Sequence, residues 1–105
     1  MATVTSKTLA RTAAATSTTT LYTVPTTSTT TVITSIVVTN SAATAATFTL
    51  TIDGVDIFTT CAIAANSTAI FDMKQVIPAN ATPKIIAGFA SAVTVKFHIS
   101  GVEIV

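Results

Sequence analysis

Few side chains in this sequence could do chemistry. They are one histidine (His98), one cysteine (Cys61) and four acids (Asp53, Asp56, Asp72 and Glu103). Nucleophilic catalysis needs a nucleophile, a base and an orienting group within hydrogen-bond reach. His98 shares an alternating face with Thr94, Lys96 and Ser100, which places it outward in solvent. Cys61 sits in Thr59-Thr60-Cys61-Ala62-Ile63 with no cation nearby, so it reads as a small packed residue rather than a thiolate. Asp53-Gly54-Val55-Asp56 offers two carboxylates to a calcium ion. Such an ion takes about six to eight oxygens, and a tight turn is the better reading. A carboxylate pair for glycoside hydrolysis, or a sugar-binding platform, would want aromatic rings to stack on the sugar. Tyr22 is the sole tyrosine and there is no tryptophan. No phosphate-cradling glycine loop, Cys/His metal spacing or G-x-S-x-G motif occurs. The chain therefore reads as non-enzymatic, with no catalytic residue, no cofactor and no metal.

The composition points the same way. Half of the 105 residues are hydrophobic, 9% are charged, and the net charge is +1. An average soluble domain is about 25% charged. Disorder of the usual kind needs high charge and low hydrophobicity, so it is excluded. Five scattered basic residues leave no nucleic-acid footprint. No apolar run approaches the roughly 18 residues of a membrane helix. The first residues hold no signal-peptide core, and the unpaired Cys61 suits a reducing compartment. The sequons at Asn66 and Asn80 are expected by chance in a chain that is about a quarter threonine.

The elements that must position these residues follow a period of two. Phe48, Leu50 and Ile52 alternate with Thr47, Thr49 and Thr51, and Val93 to Ile99 alternates as strictly. In the run Val32 to Val38, the residues Val32, Ile36 and Val38 are assigned to one face. Such alternation specifies half-buried antiparallel strands. Asp53-Gly54 reads as a hairpin turn. Residues 64–67 and 78–83 read as loops, and Pro25 ends a strand over Leu21–Val24. A parity change between Phe97/Ile99 and Val102/Ile104 beside Gly101 predicts a β-bulge. Phe71–Ile77 is the one stretch where a short helical turn is conceivable. The count is about eight short strands, which predicts an all-β antiparallel sandwich of jelly-roll type. Its large core members would be Leu21, Ile36, Val38, Phe48, Leu50, Ile52, Ile70, Phe89, Val95, Phe97 and Ile99. The row Thr47, Thr49, Thr51 resembles an ice-binding ladder, but it lacks the fixed solenoid repeat such surfaces use.

Residues 1–20 stand apart. They are rich in Thr, Ala and Ser and hold few large apolar side chains. They are expected to form an extended N-terminal arm, with residues 21–105 as the sandwich domain. Val4, Lys7, Leu9 and Arg11 are the candidate partner-binding residues of the arm. The arm would add a strand to a neighbour's sheet edge, with the two cations meeting acids there. Removing residues 1–20 would then leave the domain folded while abolishing assembly. A small core without disulfides and a nearly neutral surface favour a homo-oligomer.

The segments Leu21-Tyr22-Thr23-Val24-Pro25, Thr30-Thr31-Val32-Ile33-Thr34-Ser35-Ile36-Val37-Val38-Thr39-Asn40 and Ala45-Ala46-Thr47-Phe48-Thr49-Leu50-Thr51-Ile52-Asp53-Gly54-Val55 carry a resemblance. With the turn at Ile63–Thr68 and the closing Ser100–Ile104, they resemble small virion structural proteins of tailed bacteriophages, cyanobacterial phages in particular. Pro25–Thr29 departs from the glycine-containing turn of that pattern. The resemblance implies a structural role: a capsid decoration (cement) protein, for which a trimer is expected, or a neck, collar, tail or fibre component. It implies the major capsid protein or other virion proteins as partners, with no nucleic acid and no membrane. The location would be the virion, outside the capsid, with assembly in the host cytoplasm. A host-glycan-binding module is the alternative from another class.

Overall fold

The computed structural model describes residues 3–105. Eight strands follow one another: β1 (Val4–Ala13), β2 (Thr19–Thr23), β3 (Thr30–Asn40), β4 (Ala46–Ile52), β5 (Val55–Ile63), β6 (Ser67–Ile77), β7 (Ile85–Ala90) and β8 (Val95–Ile104). They form two four-stranded antiparallel sheets, ordered β1-β8-β3-β6 and β2-β7-β4-β5. First pairs with last, second with seventh, third with sixth and fourth with fifth. This is a long hairpin wound over itself, the connectivity of a jelly roll. The expected all-β sandwich is thus the observed one.

Local chemistry explains the strands. Thr, Val and Ile dominate them, and β-branched side chains suit a pleated surface better than a helix. At the tip of the β4–β5 hairpin, Asp53 and Gly54 have φ of 55° and 76°. Positive φ at both central residues is the type I′ requirement, matched to the twist of the flanking strands. Phe71–Ile77 is strand, not helix: it lies within β6.

Between the sheets lie Leu9, Val24, Ile33, Ile36, Val38, Phe48, Leu50, Ile63, Ile77, Ile86, Val95, Phe97 and Ile99, all buried. Phe48 is central. Its ring centroid lies 5.7 Å from Phe58, 6.3 Å from Phe71 and 6.1 Å from Phe97, tilted or edge-on in each case. Two residues expected in the core are elsewhere. Ile70 is 68% exposed, because Ala69, Phe71 and Met73 take the inner face of β6. Asp72 must face water, and alternation sends Ile70 out with it. Phe89 is half-exposed, opposite Thr49 on the outer face of its sheet.

The stretch expected as an arm is extended, but its described residues are spent within the chain. β1 runs along β8 from Val4 opposite Ile104 to Ala13 opposite Lys96. Leu9, Ala10 and Ala14 are buried. Ala14 N–H donates to Val95 and Ala90 N–H to Ala15, which carries the chain from one sheet to the other. One leucine and two small alanines suffice to seat an edge strand whose ladder does most of the work. The sequence reading weighed only the shortage of large side chains. Met1 and Ala2 lie outside the described residues.

The irregularity at Gly101 is real but belongs to other strands. β8 keeps one parity throughout: Val95, Phe97, Ile99 and Gly101 are all buried, and Val102 faces out. Instead the register slips on both neighbours, between Thr8 and Ala10 on β1 and between Ile33 and Ser35 on β3. A Cβ on Gly101 would come within 2.3 Å of the Val32 carbonyl oxygen and 2.9 Å of Leu9 Cδ1. The missing side chain lets both neighbours close in. The slip at Thr34 also moves Val32 off the face of Ile36 and Val38: Val32 is half-exposed while Ile33 is buried.

Two outcomes follow for stability. Deleting residues 1–20 is expected to abolish the cooperative thermal transition followed by far-UV circular dichroism, because β8 loses a neighbour and the core loses Leu9. A truncated protein melting at the full-length temperature would put β1 outside the folded unit. Gly101→Ala is expected to cost about 1–3 kcal/mol in chemical denaturation, as overpacking against backbone does.

Candidate functional site

The side edge where β1 and β2 approach carries a polar cluster that joins the two sheets. Tyr22 on β2 donates its hydroxyl to Glu103 Oε2 on β8. Lys7 on β1 lies 3.2 Å from Glu103 Oε1 and donates weakly to the Tyr22 hydroxyl at 3.4 Å. Its ammonium stands 5.2 Å from the centre of the Tyr22 ring, within cation–π reach. The register explains the convergence. Lys7 is opposite Gly101 and Thr5 is opposite Glu103, so Lys7 and Glu103 share the inner face near the margin of their sheet. Tyr22 reaches across from the other sheet. The cluster therefore clasps the two sheets together at one edge.

The charges respond to this arrangement. The Tyr22 hydrogen bond holds the Glu103 carboxyl below its ordinary value, with Lys7 adding to the effect against some desolvation. Lys7 is raised, first by its bond to Glu103. Tyr22 is raised, first by burial and then by Glu103. A depressed carboxyl gives stability that is present above its unfolded value near 4.5 and lost as pH falls through the folded one. Raised groups give stability that is complete below their unfolded values, 10.0 for Tyr22 and 10.5 for Lys7, and is lost as pH climbs through the folded ones.

Beside the clasp, Ser6, Lys7, Thr8, Thr34, Ser100, Gly101 and Val102 line an open depression of about 420 Å³. Its floor is where β1 and β3 bulge against Gly101. Hydroxyls line it, but no histidine or carboxylate stands there to activate one.

The expected partner-binding residues separate. Val4 is 62% exposed and Arg11 is exposed, opposite His98 on the outer face. Leu9 is 5% exposed and belongs to the core. Lys7 meets an acid, but one of its own chain. His98 stands on the outer face, between Arg11 and Val37 in register. Cys61 is a free, half-buried thiol packed against the core. Asp53 pairs with Lys84 at 2.7 Å, and Asp56 accepts from the Thr59 hydroxyl at 2.8 Å, so the two carboxylates serve separate partners. The threonine ladder is interrupted. Thr49 is 6% exposed, because β5 carries extra residues there and Thr60 N–H donates to Thr49 Oγ1. Thr60 sits at φ 45°, uncommon for a β-branched residue.

The outer face of the β1-β8-β3-β6 sheet was not anticipated as a surface of interest. One cross-strand row there reads Ser6, Val102, Val32 and Val76, and the next begins with Val4 and Ile104. Ile70 lies on the same face, in the row of Arg11, His98 and Val37. Strict parity on β8 and the slip on β3 create this patch. A signal for it lay in the neighbours of Gly101, where alternation demands that Val102 and Ile104 follow Ser100 outward.

No protein-family model matches the sequence, and no curated protein matches it. Among solved structures, a chain in the crystal structure of the T13 particle of infectious bursal disease virus is similar, with a TM-score of 0.57 and 13% identity. The match covers 98% of this chain and 30% of that one. A chain in the structure of the Gx strain of the same virus gives 0.50 and 15%, over 99% and 31%. This chain thus spans less than a third of the length of the chains it matches. The likeness is one of fold.

The clasp yields a testable pH dependence. Thermal stability is expected to be flat from about pH 5 to 9 and to fall on both sides, below through Glu103 and above through Tyr22 and Lys7. Tyr22→Phe is expected to lower the plateau and flatten the acid limb, since Glu103 then titrates closer to its unfolded value. An unchanged slope of melting temperature against pH in the variant would show that Glu103 is not held by Tyr22.

Proposed function

We propose that this chain is a non-enzymatic virion structural protein, and that its role is capsid decoration. The observation that carries the reading is the jelly-roll connectivity, matched over nearly the whole chain by part of a protein in a viral particle. The surface supports it. Charged residues make up 9% of the chain, and threonine is the commonest polar residue of the strands. Large apolar side chains also stand in solvent: Val4, Val55, Ile70, Val76, Val93 and Val105 are each more than 60% exposed. A soluble monomer keeps such residues scattered and its surface charged. A subunit designed to pack on a shell has less need of charge. Many copies on a lattice turn individually weak contacts into stable attachment.

In this reading the partner is the major capsid protein, with the particle a tailed bacteriophage assembled in host cytoplasm. Val4 and Arg11, both exposed on β1, contribute to the contact. The strand itself stays in its own sheet. The resemblance of the Leu21–Val55 segment to phage virion proteins favours decoration of a phage shell. A neck, collar, tail or fibre location remains the second reading, favoured by the same segment.

Quantitative mass spectrometry of purified particles separates the two. Decoration predicts copies comparable in number with the major capsid protein, and binding to empty expanded shells that raises their melting temperature. A small fraction of the capsid copy number would shift the assignment to neck or tail. Complete absence from particles would overturn the virion reading.

A further inference from the structure

β6 is an open edge. It has one sheet neighbour, β3, and at eleven residues it is as long as any strand in the chain. Long apolar edge strands template pairing with other chains, and natural proteins blunt them with proline, inward charges or a cover. Between Ser67 and Ile77, β6 has no proline and no inward charge; what interrupts it is Lys74 and a one-residue bulge against β3 at Met73–Lys74. Its exposed face reads Thr68, Ile70, Asp72, Lys74 and Val76. Met73 and Lys74 of β6 stand opposite the single Thr34 of β3, and Lys74, Gln75 and Val76 are exposed in succession, yet parity holds across this bulge: Phe71, Gln75 and Ile77 stay in register with the inner-face residues of β3, and every even-numbered residue from Thr68 to Val76 is exposed. Ile70 and Val76 are 68% and 64% exposed. Among the described residues, Asp72 and Lys74 form no salt bridge within the chain.

We infer that β6 is a self-pairing edge that joins two copies of this chain antiparallel, with Met73 opposite Met73 of the second copy on the two-fold axis. The sequence of the edge is complementary to itself in this register. Asp72 faces Lys74 of the second copy, and Lys74 faces its Asp72. Ile70 faces Val76, and Val76 faces Ile70. Each pair occurs twice, as an isologous interface requires. Opposite charges and apolar pairs directly across an antiparallel ladder are both favourable. The neighbouring registers are not. An axis at residue 72 sets two aspartates face to face, and an axis at 74 sets two lysines face to face. The two β1-β8-β3-β6 sheets would merge into one of eight strands, with one outer face. This inference does not rest on the virion reading, and either can fail alone.

The test is the mass of the full chain by size-exclusion chromatography with light scattering, across a dilution series. The wild type is expected to run as a dimer that dissociates on dilution. Asp72→Lys and Lys74→Asp each set like charges opposite, and each is expected to weaken association at least about a hundredfold. The double variant D72K/K74D restores both pairs and is expected to restore the dimer. Circular dichroism on each variant confirms folding, and these surface sites are expected to leave it unchanged. Register is read separately in a Cys61→Ala background: Met73→Cys is expected to cross-link to itself on oxidation, and Ala69→Cys is not. A wild type that stays monomeric, a trimer indifferent to the single variants, failure of the double variant to rescue, or no cross-link at position 73 would each overturn the inference.

Discussion

The fold depends on one closure, the pairing of the first strand with the last. β1 lies along β8 from Val4 opposite Ile104, so the two ends of the chain meet in adjacent strands. Every other ladder in the jelly roll is nested inside that one. β2 can meet β7 only when the chain has crossed between sheets at Ala14 and Ala15, and that crossing is hydrogen-bonded to the Val95 and Ala90 backbone. Most contacts are therefore remote in sequence. Loop entropy is spent before those contacts form, which makes folding of such a topology slow and cooperative.

Closure brings three strands closest at Gly101. β8 is flanked by β1 and β3 and stays straight, while both flanking strands carry an extra residue at the same level. The absence of one side chain admits the Val32 carbonyl and the Leu9 methyl. The consequence reaches the surface. The slip at Thr34 seats Ile33 in the core and turns Val32 out, where it joins Val102 and Val76. A packing constraint in the interior thereby writes an apolar row on the exterior. The Tyr22–Glu103–Lys7 clasp lies on the inner side of the same region, so β1 is held both by its ladder and by a polar contact to the opposite sheet.

Much of this was legible in the residues. Alternation in Thr47–Ile52 and Val93–Ile99 gave strand identity and face, and Asp53-Gly54 gave the hairpin. The unpartnered His98 and Cys61 gave no catalytic constellation, and the structure places them apart, on the outer face and at the core margin. What escaped reading had physical causes. Period two is blind to a bulge, so alternation alone puts the slip beside Gly101 on β8 and Val32 on the face of Ile36 and Val38. Ile70 is hydrophobic, but its neighbours Ala69 and Phe71 own the inner face. β1 holds one buried leucine, and hydrogen-bonded edge strands need little more. The clasp joins residues 7, 22 and 103, a separation no local pattern encodes.

The distribution of charge completes the picture. Threonine supplies much of the polar surface of the strands without charge, so the nine charged residues are free to mark particular places. Lys7 and Glu103 mark the edge where β1 meets β2, and Asp53 and Lys84 mark the turn end. Asp72 and Lys74 mark the open edge of β6. Paired inside the chain, charges hold sheets and turns in place. Exposed on an edge they give orientation and register rather than bulk affinity, because the pairing energy of solvated ions is small while the penalty for like charges opposite is not. A nearly neutral surface thus makes each remaining charge more informative. Nonspecific attraction is low, and most of the charges that remain stand on the edge strands β1, β5 and β6 or beside the β4–β5 turn, where a β-sandwich chooses its partner strand, with Lys96 and Glu103 on the inner strand β8.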